Sequence, residues 1–209
     1  METKLVRVEE AVIERAAALL RAGGLVAFPT DTVYGLAALP TELTAVVRIY
    51  EVKSRDASRP IALLLSDIDQ LDDVAVLPQA AQPLVRRFWP GGLTLVLPKT
   101  EEVGEKVSPG PTVGVRIPHL ALARQLIRAA GGRLAVTSAN RSGEPAALTA
   151  HEVLEKLGGR IELILDGGRC PGGVPSTVLD CTVWPPLILR HGAVPEDAIR
   201  RVLQRAASL

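Results

Sequence analysis

Aromatic residues are scarce in this chain of 209 residues: Phe, Trp and Tyr together make up 3% of it. The apolar fraction is still 47%, so the core must be built from Leu, Val, Ile and Ala. Few rings also leave little for base stacking, and a formal net charge of +1 removes bulk attraction to a polyanion, although a local basic patch remains open. Most basic residues are Arg rather than Lys, which suits bidentate phosphate or carboxylate contacts and equally a GC-rich genome. Asparagine occurs once, at Asn140, a depletion that suits a thermophile. Cysteine occurs twice, at Cys170 and Cys181, without CxxC spacing or a histidine set beside it. That argues against zinc and favours two reduced thiols over a disulfide. Met1-Glu2-Thr3-Lys4 does not open a signal peptide, and no apolar run reaches the length of a membrane span. A cytoplasmic chain with no membrane contact is expected.

The common nucleotide motifs are missing too. Lys99-Thr100 resembles the end of a P-loop, but Pro98 stands where glycine is required. No GxGxxG run joins a strand to a helix, no serine sits in a nucleophile elbow, and His119, His151 and His191 lack metal-ligand spacing.

What is present is an alternation of helical and extended patterns. Helices are expected from Glu9 to Ala22, from a Thr41 cap onward, from Pro78 to Phe88 and from Ala121 to Ala130. Two more follow, after the Thr149-Ala150-His151-Glu152 capping box and after Pro195-Glu196-Asp197. Apolar strands are expected at 25–28, 61–65, 93–97, 113–117, 134–137, 161–165, 177–179 and 187–190. Several neighbouring strands lack a helix between them, which predicts an α/β or α+β domain with a mixed sheet. No linker or repeat divides residues 1–209, so a single domain is expected, with Gly167–Pro175 as a loop over a site.

Four segments carry candidate chemistry. After the strand at 25–28, Pro29-Thr30-Asp31-Thr32-Val33-Tyr34-Gly35 puts Thr30, Thr32 and Tyr34 on one wall if extended, or forms an ordinary polar turn. Lys53-Ser54-Arg55, with Arg59, is either a solvated helix-end cluster or a polyphosphate clamp. Ser138 and Asn140, just past a buried strand, make either an Asx-type turn or neutral ligand contacts. Ser176 follows the Gly-rich loop, where amides and hydroxyls can cradle an anion. Arg116 and Arg190 end apolar strands, so each must find a structural partner or a ligand.

Together these segments resemble the YrdC-type threonylcarbamoyl-AMP synthases. The matching stretches run in family order from Phe28-Pro29-Thr30-Asp31-Thr32-Val33-Tyr34-Gly35-Leu36 through Lys53-Ser54-Arg55, Phe88-Trp89-Pro90-Gly91 and Val113-Gly114-Val115-Arg116-Ile117-Pro118. They continue through Thr137-Ser138-Ala139-Asn140-Arg141-Ser142-Gly143 and Pro175-Ser176-Thr177-Val178 to Arg190. The resemblance implies a twisted, open mixed β-sheet flanked by helices, with a concave basic face. It implies that L-threonine, bicarbonate and ATP give threonylcarbamoyl-AMP and pyrophosphate, for N6-threonylcarbamoylation of adenosine 37 in tRNA by downstream transferase proteins. By resemblance, Thr32, Arg116, Ser138 and Ser176 contact threonine. Lys53, Arg55, Arg59, Thr112, Asn140 and Arg190 contact ATP, with Lys53 and Arg55 as the catalytic pair. Mg2+ is expected on the ATP phosphates, with no metal ligand from protein side chains.

The chain departs from the family pattern at Asp56, Gly92 and His191, where prolines are frequent, and at Leu64 and Leu120, where many members have histidine. It resembles the short form, without the extra C-terminal domain of longer members. Two other readings compete. One is a structured-RNA-binding module of the same fold, with weak RNA binding left open. The other is a carbamoyl-adenylating enzyme for a different acceptor, as in the YrdC-like part of hydrogenase maturation proteins.

Overall fold

The computed structural model describes residues 1–207. Ten strands join one open sheet: β1 (Lys4–Arg7), β2 (Val26–Phe28), β3 (Gly35–Ala38), β4 (Ala62–Leu65), β5 (Leu93–Pro98), β6 (Thr112–Arg116), β7 (Arg133–Ser138), β8 (Leu163–Asp166), β9 (Thr177–Asp180) and β10 (Leu187–Arg190). Their spatial order is β1-β8-β2-β3-β7-β4-β6-β5-β9-β10. The pairs β1–β8, β2–β8, β4–β6 and β5–β9 are parallel, and the rest antiparallel, so the sheet is mixed as expected.

Seven helices flank the sheet among the described residues: α1 (Glu10–Arg21), α2 (Leu43–Lys53), α3 (Leu71–Val74), α4 (Gln82–Phe88), α5 (Ala121–Ala129), α6 (Ala150–Leu157) and α7 (Glu196–Ala207). The capping box before α6 forms: Thr149 Oγ1 accepts from the Glu152 amide at 3.2 Å, and the Glu152 carboxylate reaches the Leu148 amide at 2.7 Å. The expected Thr41 cap does not form. Glu42 precedes α2, and it supplies no side-chain cap. The segment from Pro78 splits into a 3-10 turn at Gln79–Ala81 and α4, with Pro83 in the first turn of α4, where its missing N–H costs nothing.

Two strands were not foreseen. β1 is a four-residue edge strand with charged ends and little burial, so its period-2 signal is weak. β3 is Gly-Leu-Ala-Ala, wholly buried, and its leading glycine reads as a bend rather than a strand.

The two sheet faces are covered unequally, and this creates the site. On one face, Ile61, Leu63, Leu65, Leu95, Val113 and Val115 join the large aliphatic core beneath α2, α3, α4, α6 and α7. On the other, α1 and α5 pack on β2, β3, β7 and β8 through Val12, Ala16, Leu20, Ala123, Leu126 and Ile127. Among the described residues that cover reaches Leu64 of β4 and takes in nothing of β6, β5 and β9. Their outward residues line an open cleft of about 600 Å³.

Cys170 and Cys181 are both free and buried, and burial raises their thiols to about 11 and about 12. Neither should react with a thiol reagent in the native protein at neutral pH, and both should react after unfolding in guanidinium. A fast native-state reaction at Cys170 would mean that the loop holding it opens in solution.

Candidate active site

The turn after β2 is not an extended wall. Thr30 folds back on itself: its Oγ1 donates to the Val33 carbonyl at 2.7 Å, accepts from the Thr32 and Val33 amides, and lies 3.0 Å from Thr32 Oγ1. A hydroxyl-closed turn of this kind competes with the strand because it satisfies the same backbone groups locally. Tyr34 has its side chain in the core, with its phenol donating to the Gly168 carbonyl at 2.8 Å. Burial, with Asp166 nearby, pushes that phenol above its ordinary range.

The turn is also clamped from outside. Gly172 and Gly173 donate their amides to the carbonyls of Asp31 and Thr32, each at 3.0 Å. Gly172 must be glycine, since a Cβ there would stand 2.5 Å from the Asp31 carbonyl oxygen. The Gly-rich loop is therefore docked beside the site.

Arg116, at the end of β6, is the centre of the arrangement and is 5% exposed. Its Nε donates to the Gly91 carbonyl at 2.8 Å, Nη1 to Thr32 Oγ1 at 2.8 Å and Nη2 to Asp31 Oδ1 at 2.7 Å. An arginine has five N–H groups, so one on each terminal nitrogen remains for a ligand. Burial lowers its pKa, and the Asp31 carboxylate opposes that shift. Asp31 Oδ1 also accepts the His119 amide at 2.9 Å. The sequence reading assigned Asp31 no role. The available signal was that Arg116, at the end of an apolar strand, needed a partner.

Arg190, in β10, donates through Nε and Nη2 to the Ser176 carbonyl at 3.0 and 2.8 Å, and through Nη2 to Ser176 Oγ at 3.1 Å. Ser176 Oγ also lies 2.8 Å from Thr94 Oγ1. Thr94 was missed, although a lone hydroxyl inside Leu93-Thr94-Leu95-Val96 is a readable signal. Burial lowers the Arg190 pKa, and the charges of Arg116 and Arg55 lower it further.

Lys53 and Arg55 diverge despite their spacing. Helix α2 ends at Ser54, whose φ of 50° is left-handed, so the chain turns sharply between them. Arg55 reaches the cleft, with Nη2 on the Pro60 carbonyl at 3.0 Å and a buried Nε without a partner. Lys53 instead points inward and is 2% exposed, with its ammonium donating to the carbonyls of Ser138 and Asn140. Of the two readings of this cluster, the solvated helix end does not hold for Lys53, whose ammonium is buried against the two carbonyls. Burial first, then Arg55, pulls its pKa down to about 8.

Of the ten expected site residues, Thr32, Arg55, Arg59, Thr112, Arg116, Ser138, Ser176 and Arg190 line the cleft, and Lys53 and Asn140 do not. Asn140 Nδ2 donates to the carbonyls of Arg141 and Glu144, both at 2.8 Å, while its buried Oδ1 has no partner. Four arginines and no carboxylate line the cleft.

A family model described as telomere recombination, Sua5/YciO/YrdC, matches residues 18–192. The chain belongs to the Sua5/YciO/YrdC family. A threonylcarbamoyl-AMP synthase of Pyrococcus abyssi (strain GE5 / Orsay) is 46% identical over 199 residues, 94% of this chain and 58% of that protein. One of Bacillus subtilis (strain 168) is 45% identical over 194 residues, 91% of this chain and 56% of that protein. The crystal structure of P. abyssi Sua5 complexed with L-threonine matches with a TM-score of 0.93 at 45% identity, over 96% of this chain and 61% of that one. The chain thus spans a little over half the length of these relatives.

The departures from the pattern of the YrdC-type synthases fall in different places. Leu64 lines the cleft, whereas Leu120, half-buried before α5, does not. Asp56 Oδ1 accepts the Ser58 amide at 2.9 Å and so closes the turn between Arg55 and Arg59. Gly92 is tightly packed, since a Cβ there would stand 2.8 Å from the Ala193 Cβ. His191 is exposed, 3.8 Å from Glu196.

Proposed function

We propose that this chain is a threonylcarbamoyl-AMP synthase, a nucleotidyltransferase that makes threonylcarbamoyl-AMP and pyrophosphate from L-threonine, bicarbonate and ATP. The observation that carries this reading is the cleft itself: four arginines, a set of hydroxyls and an apolar floor, with no acidic side chain. Such a lining takes a ligand rich in negative charge. Its amino-acid end is read at Arg116, whose two spare N–H groups fit a carboxylate. Arg55, Arg59 and Arg190 stand along the rest of the cleft for the phosphates.

The threonine amine and bicarbonate combine to a carbamate, with loss of water. A carbamate oxygen then attacks the α-phosphorus, and the bond to the β-phosphate oxygen breaks to release pyrophosphate. The protein has little covalent work in this scheme. Orientation and neutralisation of the phosphate charge supply the rate. Among the described residues no three His, Cys, Asp or Glu side chains cluster as a metal site, so Mg2+ would enter as part of the substrate, held by the phosphates. Lys53 acts by holding the backbone of Ser138 and Asn140. The product would pass to proteins that transfer the threonylcarbamoyl group to tRNA. Work in the cytoplasm is part of this proposal; no helix among the described residues is long and apolar enough to cross a membrane.

The test is pyrophosphate release from Mg–ATP by the purified chain. It should require both threonine and bicarbonate, and a structured tRNA transcript should not compete. Release without threonine dependence would overturn the reading. The same assay ranks substrates. Serine differs from threonine by one methyl group and should be slower by about 10–200-fold. Valine, which lacks the hydroxyl and leaves site hydroxyls unpaired, should be slower still. Valine outrunning serine would mean that shape, not hydrogen bonding, is read.

A further inference from the structure

We propose that Tyr50 is a positioning residue: its phenol tethers the backbone of Arg59 and so keeps that guanidinium at the cleft for a phosphate ligand. This role rests on the proposed use of ATP and adds what sets one of the arginines in place.

Three of the four cleft arginines are fixed through their own side chains. Arg116 and Arg190 each make three hydrogen bonds, and Arg55 donates to the Pro60 carbonyl. Arg59 makes no side-chain hydrogen bond and no ion pair among the described residues. Residues 56–60 are all exposed, so packing does not hold the segment either. What remains is the backbone. The Arg59 amide donates to the Asp56 carbonyl at 3.1 Å, a local bond that travels with the turn. The Arg59 carbonyl accepts the Tyr50 phenol at 3.1 Å, and that bond ties the turn to the core. The Tyr50 carbonyl in turn accepts the Arg55 amide at 2.8 Å, so one residue holds both ends of the segment.

The core needs only the ring. Tyr50 is 7% exposed in the last turn of α2 and belongs to the large aliphatic core, where phenylalanine would fill the same space. The hydroxyl is surplus to that packing. Burial raises its pKa, so it keeps its proton and remains a donor. The same hydroxyl lies 3.2 Å from the Lys106 carbonyl, in the loop between β5 and β6, and shares its one proton between the two carbonyls. That loop brings Ser108 to the cleft, and its Val107 carbonyl accepts the Ile61 amide at 2.8 Å. The phenol thus joins two backbone segments that each deliver a cleft residue.

A tether is needed because Arg59 stands beside a like charge. Burial lowers the Arg55 pKa, and the Arg59 charge lowers it further. Two guanidiniums that repel would drift apart before a phosphate arrives, and binding would have to bring them back together.

The experiment compares wild type, Tyr50→Phe, Arg59→Ala and the double variant by calorimetric titration with ATP, tripolyphosphate and L-threonine, alongside thermal unfolding and amide exchange. Tyr50→Phe keeps the ring, and the two freed carbonyls belong to exposed residues that water can reach, so it should fold. It should bind ATP and tripolyphosphate about 3- to 10-fold more weakly, since the freedom released costs no more than one hydrogen bond was worth. Threonine affinity should stay as it was. Amide exchange should rise at residues 55–60 and not in the sheet. In the Arg59→Ala background the same substitution should change ATP affinity by less than about 2-fold, because the group it positions is gone. Equal ATP affinity in wild type and Tyr50→Phe overturns the tether and leaves the synthase reading intact. Equal losses of ATP and threonine also overturn it, by showing a loosened fold and not a displaced arginine. A full loss that persists without the Arg59 side chain overturns it as well. A wild-type chain that binds neither ATP nor tripolyphosphate defeats the synthase reading along with it.

Discussion

Arg116→Ala should lose both folding stability and threonine binding, and a paired substitution should separate the two. Removing the guanidinium leaves Asp31, whose side chain is 14% exposed, with a buried charge and no counter-ion. Breaking one side of such a pair costs roughly 3–5 kcal/mol. The Gly91 carbonyl and the Thr32 hydroxyl lose a donor in the same step. Removing the Asp31 charge as well, in Asp31→Asn with Arg116→Met, should recover most of that stability. Threonine affinity should not return, because the two spare N–H groups are gone. Urea unfolding reads the first quantity and threonine titration the second. If the double variant regains stability and still binds threonine as wild type does, the carboxylate is held elsewhere and the two subsites must be reassigned.

This coupling of structure and ligand at one side chain shows what the sequence could and could not carry. Periodicity located helices and buried strands because each has a long apolar stripe or run, as in α1 and β4. It failed at β1, where four residues with charged ends leave too little pattern, and at β3, where small residues and a leading glycine look like a bend. The cleft was legible residue by residue, since eight of the ten expected positions do line it. Its cause was not. The cleft exists because α1 and α5 cover one half of a sheet face and not the other, and that division depends on strand order. Direction was equally hidden. Thr30 turns its hydroxyl back on the backbone, and Tyr34, although it lines the cleft, sends its phenol to the Gly168 carbonyl, because a hydroxyl-closed turn interrupts the alternation that an extended segment would keep.

Lys53 and Arg55 should give opposite phenotypes when each is replaced by alanine. Read as a sequence, both belong to one exposed cationic cluster, for which stability changes under about 1 kcal/mol are expected. That value holds for Arg55, which is half-buried, faces the cleft and makes a single hydrogen bond, to Pro60. Arg55→Ala should instead weaken ATP by roughly 2–5 kcal/mol, about 30-fold or more, by removing a charge from the phosphate side. Lys53→Ala should unfold more easily by several kcal/mol, because the Ser138 and Asn140 carbonyls each lose a donor at about 1–3 kcal/mol and a buried void opens. Its pKa near 8, against 10.5 for a free lysine, adds an independent signature. Between those values the unfolded chain holds a proton that the native chain has shed, so wild-type stability should gain with rising pH across that window. The gain should vanish in Lys53→Met. Unfolding curves for the three variants at pH 7.5 and pH 10 decide the matter. A Lys53→Ala protein as stable as wild type, with ATP binding lost, would return Lys53 to the phosphate site and remove its role as a tether of the Ser138–Asn140 backbone.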